Sequence, residues 1–373
     1  MKTILVYGLK NMIGGAETYL LSMQHQLIDE IKFVFVVEQT GDFSCTNGFI
    51  HSEQVIANGG EIEYLPERHN FKEYIKSYKL VLNNYKRYTD TLYVNVAHIS
   101  FDIIPIIIAI KEGYKVVTHS HNAMQEPIKN IVYKIRQRVF HKIAVLKLRH
   151  MNVVRLAVSQ RAGDYLYCDK SYTEVSPGID VERFVYDESV RNRLRLRLNV
   201  TNNVVLGFVG RLVPVKNPLF LVDILCEIKR SVPTAKLLIV GDGDLREAME
   251  SKIKSKLLEN DVVFVGAVNN VYDYYCAMDA LLLPSLSEGL PFVTLEAQCV
   301  GVPCVCAKDN IPKAVDVTGC VRFCSLESGA VQWCTEITEV LSIHPNRKRM
   351  NLAVHDSDYN IKNVAKKLLG ILK

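Results

Sequence analysis

The sequence lacks a Cys-x-x-Cys pair, a low-complexity tract, a short-period repeat and a long uncharged apolar run. Ten cysteines are present, but spacing does not group them: the closest set is Cys299, Cys304 and Cys306. That set spans a predicted helix end, turn and strand, which reads as core thiols in a reducing cytosol and excludes a disulfide framework. The most apolar stretch, 101–110, contains Asp102 and Pro105 and cannot span a bilayer. The opening MKTILVYG is too short for the core of a leader and predicts a first buried strand. Net charge is also scarce. Forty-five Lys and Arg against 40 Asp and Glu leave +5, too little for a dedicated nucleic-acid binder.

What is present is an ordinary globular balance, 49% apolar and 23% charged over 373 residues. A single core stops growing near 250–300 residues, so two domains of roughly 180 are expected. The charge is uneven: 127–155 holds eight Lys or Arg and no acid, and removing its +8 from the total of +5 leaves −3. Strand-like runs alternate with helical periods, the pattern of parallel α/β sheets. Predicted strands are 3–7, 33–37, 92–96, 115–118 and 153–158, then 204–209, 235–240, 262–265, 280–284 and 303–306. Helices are expected at 16–29, 71–87, 218–231, 245–258, 271–278 and 291–300. The polar, Arg-rich segment 176–203 reads as a connector. Two doubly wound domains then face each other across a central cleft, with ligands beyond the carboxyl ends of their strands.

Four segments carry candidate chemistry. Gly14-Gly15-Ala16-Glu17 follows strand one and opens a helix, where backbone can approach a phosphate; a plain tight turn explains it as well. Gly210-Arg211-Leu212 follows an apolar strand, and Lys216 precedes the next helix. Two cations beside a helix N-terminus suit a diphosphate, or they are solvated loop charges. In 284–297, Glu288 stands at a strand's carboxyl end, Gly289 permits a turn, Pro291 starts a helix and Glu296 lies inside it. Two carboxylates with free helix amides between them fit a ligand with hydroxyls at both ends and phosphates in the middle, such as a nucleotide sugar. His119-Ser120-His121 ends a predicted strand, with both histidines on one side; zinc would need further ligands that are not nearby. Asp242 and Asp244 bracket Gly243 and read as turn and cap residues.

In this order, and with Ser176-Pro177-Gly178-Ile179-Asp180 and Gly241-Asp242-Gly243, these segments resemble the family-4 retaining glycosyltransferases of the GT-B fold, especially bacterial capsule and exopolysaccharide enzymes. The resemblance implies an acceptor-side domain 1–178, a donor domain 179–357 and a last helix, 358–373, that packs back on the first domain. It implies that Arg211 and Lys216, after Gly210, hold the donor diphosphate. Glu288 would contact the donor sugar, with Gly289, Leu290, Pro291 and Phe292 near sugar and phosphate. Glu296 would bind the ribose, while Gly14 and Gly15 would close over the phosphate. Glu17 belongs to the motif, and His119 matches the family's active-site histidine. Where many relatives carry an acid after Ile311-Pro312, this chain reads Lys313-Ala314-Val315-Asp316.

The expected activity is transfer of a sugar, with retention, from a UDP-sugar to a glycan or lipid-linked glycan in cell-surface polysaccharide synthesis, without metal or other cofactor. A nucleotide-sugar epimerase or storage-sugar synthase, and an inactive nucleotide-binding assembly partner, are the alternatives. Finally, Ile128, Ile131, Val132, Ile135, Val139, Ile143 and Leu146 form one stripe at helical spacing, flanked by cations. Such a helix suits an anionic membrane surface, giving a cytoplasmic, peripheral protein; alternatively the stripe faces the domain core.

Overall fold

A computed structural model describes residues 1–12, 14–39, 49–96, 99–121, 131–169, 171–343 and 346–373, and over 131–137 the backbone alone. The chain forms two compact units, 1–178 with 361–373, and 179–360.

The first unit alternates β1 (Lys2–Tyr7), α1 (Gly15–Gln26), β2 (Ile31–Glu38), α2 (Ser52–Ala57), β3 (Glu61–Leu65), α3 (Phe71–Tyr85), β4 (Thr91–Val96), α4 (Ile99–Lys111), β5 (Lys115–Ser120), α5 (Ile131–Arg149), β6 (Val154–Ala157), α6 (Gln160–Tyr167) and β7 (Thr173–Glu174). The second has α7 (Glu188–Arg197), β8 (Val204–Val209), α8 (Pro218–Ile228), β9 (Ala235–Val240), α9 (Arg246–Ser255), β10 (Val262–Gly266), α10 (Tyr272–Ala277), β11 (Ala280–Leu283), α11 (Phe292–Val300), β12 (Cys304–Ala307), β13 (Val321–Cys324), α12 (Gly329–Ser342) and α13 (Arg347–His355). The chain then returns to the first unit as α14 (Ile361–Leu372).

Both sheets are parallel and doubly wound, in the orders β3-β2-β1-β4-β5-β6-β7 and β10-β9-β8-β11-β12-β13. Their central strands are apolar on both faces because helices cover both: Leu5, Val94, Leu206 and Leu282 are all fully buried. Order reverses between β1 and β4 and between β8 and β11, the switch points where such sheets bind ligands.

The segment expected to be a connector is not one. Its helix α7 is locked to the second sheet by Arg191 and Arg195, which reach Asp279 at 2.5 and 3.2 Å. Asp279 also accepts from the Val205 amide at 2.8 Å. Against the upward push of burial, Arg191 and that amide hold its carboxyl below the usual range. Removing one member of such a buried cluster leaves the others uncompensated and costs about 3–5 kcal/mol, so α7 belongs to the second unit's core.

Candidate active site

At the carboxyl ends of β8 and β9, two glycine turns interlock. Gly210 donates to the Val240 carbonyl at 3.0 Å, and Leu212 donates to the Asp242 carbonyl at 2.9 Å. Gly241, at φ +132°, sits so close that a Cβ there would lie 2.0 Å from the Gly210 carbonyl oxygen, so no side chain fits. The turn thus formed aims Arg211 outward, exposed and with no ion pair among the described residues.

Five residues later Lys216 ends a short turn, 214–216, and Pro218 opens α8. Beyond β11, the facing loop is tied to it by the Leu286 amide on the Val215 carbonyl, 2.8 Å. That places Lys216 Nζ 2.6 Å from Glu288 Oε1, with both side chains largely buried. The Glu288 amide is held by the Asn310 carbonyl at 3.0 Å, fixing the loop from its other side. Because Lys216 and Glu288 neutralise each other, Arg211 is the uncompensated charge, and an incoming anion would share Lys216 with Glu288.

Gly289, Leu290 and Pro291 carry the chain from Glu288 into α11, with Pro291 at the helix cap rather than inside the first turn, and Phe292 the first helical residue. Glu296 is half-buried on α11 and accepts from the Tyr275 hydroxyl at 2.7 Å. Burial pushes its carboxyl upward, opposed by that hydroxyl and by Arg183. A desolvated carboxylate with a single donor has room for hydroxyl donors from a ligand. Tyr275 has no sequence signal for this role, since it lies on α10 and meets Glu296 only in the fold.

Residues 203–342, which span this constellation, match the family described as "Glycosyl transferases group 1". The second unit is a group 1 glycosyltransferase domain. Over 370 residues the chain is 25% identical to EpsF of Bacillus subtilis, described as a glycosyltransferase, covering 96% of this chain and 93% of that one. Over 153 residues, 39% of each chain, it is 33% identical to the UDP-Gal:alpha-D-GlcNAc-diphosphoundecaprenol alpha-1,3-galactosyltransferase of Escherichia coli. Among solved structures, Anabaena HepE in complex with UDP superposes with a TM-score of 0.78 at 20% identity, covering 100% of this chain and 99% of that one. The fold of the chain is GT-B.

In the first unit, the structure gives the Gly-Gly-Ala-Glu motif a plain structural part. Gly14 caps α1, and its carbonyl accepts from the Thr18 amide and hydroxyl at 3.0 and 2.9 Å. Glu17, buried, folds back so that its Oε2 lies 2.6 Å from where a Gly14 Cβ would be. Glu17 thus stands at the third position of the helix, folded toward its cap, and Gly15 beside it is exposed.

The two histidines divide differently from what the resemblance implies. His119 is fully buried, with Nδ1 on the Tyr93 hydroxyl at 2.5 Å and Nε2 on the Val175 carbonyl at 3.1 Å. Both ring nitrogens are spent inside the unit, so His119 has none left for a ligand. His121, its ring centroid 4.5 Å away, keeps a buried Nε2 with no partner among the described residues, as does Asn95 Oδ1 near the end of β4. The alternation that puts both rings on one side is present; what sequence cannot see is which one β6 and β7 cover.

Burial, with the neighbouring His121, pushes the His119 pKa well down. Burial alone pushes His121 down to about 3. Both imidazoles are therefore neutral in the fold, while unfolded ones titrate near 6.5. Their folded values being depressed, the stability they carry is full above pH 6.5 and is lost as pH falls toward the folded values. Melting followed by circular dichroism should fall by several degrees between about pH 7.5 and pH 5, and the fall should be smaller in His121→Gln. An identical fall in the variant would contradict the assignment.

Among the described residues, no group of three or more His, Cys, Asp or Glu could hold a metal ion, and the cysteines are unpaired.

Proposed function

We propose that the protein transfers a sugar from a UDP-sugar to a lipid-linked glycan, with retention of anomeric configuration and without metal. The observation that carries this reading is the Lys216–Glu288 pair beside the unpaired Arg211, at the switch point of a group 1 domain. In such a transfer the departing diphosphate takes on the negative charge, and fixed donors aimed at it lower the barrier most. Arg211 and Lys216 supply that charge, together with the amides at the start of α11. Glu288, released in part from Lys216, accepts from hydroxyls of the transferred sugar, and Glu296 accepts from the ribose. HepE, of the same fold, has been crystallised with UDP and with UDP-glucose, which supports uridine as the nucleoside. The galactosyltransferase relative acts, by its description, on a diphosphoundecaprenol-linked sugar, which supports a lipid carrier in polysaccharide synthesis. The enzyme then works at the cytoplasmic face of the membrane, and the basic segment 127–155 is the part that meets it.

In the first unit, His121 rather than His119 is the histidine that touches a ligand, because of the two it alone has a ring nitrogen without a partner among the described residues.

The test is release of UDP from a panel of UDP-sugars, with and without lipid-linked glycan and with excess EDTA. Acceptor-dependent release that EDTA leaves unchanged is expected, with the product's anomeric configuration, read by NMR, matching the donor's. Interconversion of donor sugars with no glycosidic product would replace transfer by epimerisation. Tight UDP binding with no turnover of any donor would sink the catalytic reading.

A further inference from the structure

The apolar stripe of α5 is exposed over its described part, at Val139, Ile143 and Leu146. Ile128, Lys129 and the side chains of 131–137 lie outside the described residues. No helix among the described residues is long and apolar enough to cross a membrane. A polar groove at the amino ends of β1, β2 and β3 belongs neither to that stripe nor to the donor site.

Register aligns Thr3 with Lys32, Val34 with Glu61 and Val36 with Glu63. Residues two apart on a strand share a face, so these side chains stand on one side of the sheet, the side that α3 covers. Toward the carboxyl ends that side is core, where Leu5, Val34 and Val36 cluster with Tyr74, Tyr78 and Leu82 of α3. Toward the amino ends it turns polar. There a groove of about 740 Å³ opens between Thr3, Lys32, Glu61 and Glu63 on the strands and Asn83, Asn84 and Tyr88 at the end of α3. Sites for small ligands occupy ~300–1,000 Å³.

The polar groups of the groove are only partly used. Lys32 pairs with Glu61. The Tyr85 hydroxyl lies 3.1 Å from Glu61 Oε2 and 2.8 Å from Glu63 Oε1, and its one proton serves only one of them at a time. Burial and the Glu63 carboxylate push its pKa up, so it stays a donor. Among the described residues Glu63 has no cation partner, and the Asn83 and Asn84 amides have no hydrogen-bond partner. The Arg87 guanidinium lies 4.6 Å from the centre of the Tyr88 ring, which is 56% exposed.

The chemistry of this lining selects a ligand. Lys32 and Arg87 balance Glu61 and Glu63, so no net charge is left for a phosphate, a nucleotide or a metal ion. Carboxylate, carboxamide and guanidinium each set two polar atoms side by side on one plane, which matches adjacent hydroxyls on a sugar ring. An exposed tyrosine adds a flat apolar face for the C–H side of that ring. Charges by themselves would keep the edge strand β3 from pairing; that task needs neither a groove nor an exposed ring beside it.

We propose that this groove is a second glycan-binding site, which holds neutral hexose units of a glycan away from its reacting end. It lies at the opposite edge of the first sheet from the carboxyl end of β5, near His121, so a chain held there leaves that end free. That the glycan is the acceptor or product rests on the transfer reading; the affinity of the groove for neutral sugars does not.

Saturation-transfer NMR on the full-length protein, with maltose, cellobiose, lactose and chitobiose as probes, measures the binding. At least one probe should bind, equally with and without saturating UDP. Tyr88→Ala with Asn84→Ala should weaken it about tenfold or more, through loss of the ring face and one amide, and Glu63→Gln should weaken it severalfold. Asn84 and Tyr88 are exposed, so their double variant should melt as the wild type does, and Glu63→Gln tests the same groove with the side chain's shape kept. Binding of none of the probes at millimolar concentration overturns the proposal. So does binding that survives the double variant, or that UDP abolishes, because the sugar would then sit elsewhere. Turnover of UDP-sugars on the same preparations separates the two readings. Probe binding by a protein that transfers no sugar keeps the groove and faults the transfer reading; acceptor-dependent transfer without probe binding faults the groove alone.

Discussion

Lys216→Ala and Arg211→Ala should each lower kcat by about two to three orders of magnitude, since removing one fixed donor to a developing charge costs roughly 3–4 kcal/mol. The two will differ in a way the geometry dictates. Arg211 is exposed and unpaired among the described residues, so its loss should remove the proposed diphosphate contact and nothing else. Lys216 is held by Glu288 at 2.6 Å, so its loss also leaves a largely buried carboxylate without its partner. Melting should therefore fall in Lys216→Ala and stay unchanged in Arg211→Ala, while both lose turnover. Steady-state kinetics with UDP release decides it; turnover within threefold of wild type in both would remove the diphosphate from this corner.

Glu296→Ala and Glu288→Ala should separate nucleotide binding from transfer. Glu296 accepts from Tyr275 and has capacity left for ribose hydroxyls. Hydrogen bonds to a charged group contribute about 1.5–3 kcal/mol, so UDP affinity in Glu296→Ala should fall roughly tenfold to a hundredfold. Glu288→Ala should leave UDP affinity intact or raise it slightly, because Lys216 is freed for phosphate, while kcat falls at least a hundredfold, or about 3 kcal/mol. Calorimetry with UDP alone, beside turnover, checks both. A larger UDP defect in Glu288→Ala than in Glu296→Ala would reverse the two roles.

Much of the fold is written locally. β8 and β9 have the bounds expected from their apolar runs, because buried parallel strands must be apolar throughout. β3 escaped notice because Glu61 and Glu63 interrupt it, and an edge strand can carry such charges: Glu61 pairs with Lys32 and Glu63 accepts from Tyr85 at 2.8 Å. β13 escaped because it has four residues and a charge, Arg322. Helix α7 lies in a segment that reads as a connector, since Asp279, the partner that makes it core, lies 84 residues from Arg195. The same limit applies to the sites. Spacing brings out Arg211 and Glu288 after strand ends, Lys216 before a helix start and Glu296 inside the helix that follows Glu288. It cannot tell His119 from His121, because the carbonyl that occupies His119 belongs to Val175, 56 residues away.

The first unit is built from both ends of the chain. Helix α14 buries Ile361, Val364, Leu368 and Leu372 in it, and the Leu372 carbonyl accepts from Lys2 Nζ at 2.6 Å. During vectorial synthesis on the ribosome, the second unit is complete once residue 360 has emerged, while the first, although translated earlier, waits for residues 361–372. The unit that starts first is finished last. A nonsense codon or a proteolytic nick near residue 360 would thus leave the second unit folded and strip the first of its closing helix, so a cut beyond the second unit is felt in the first.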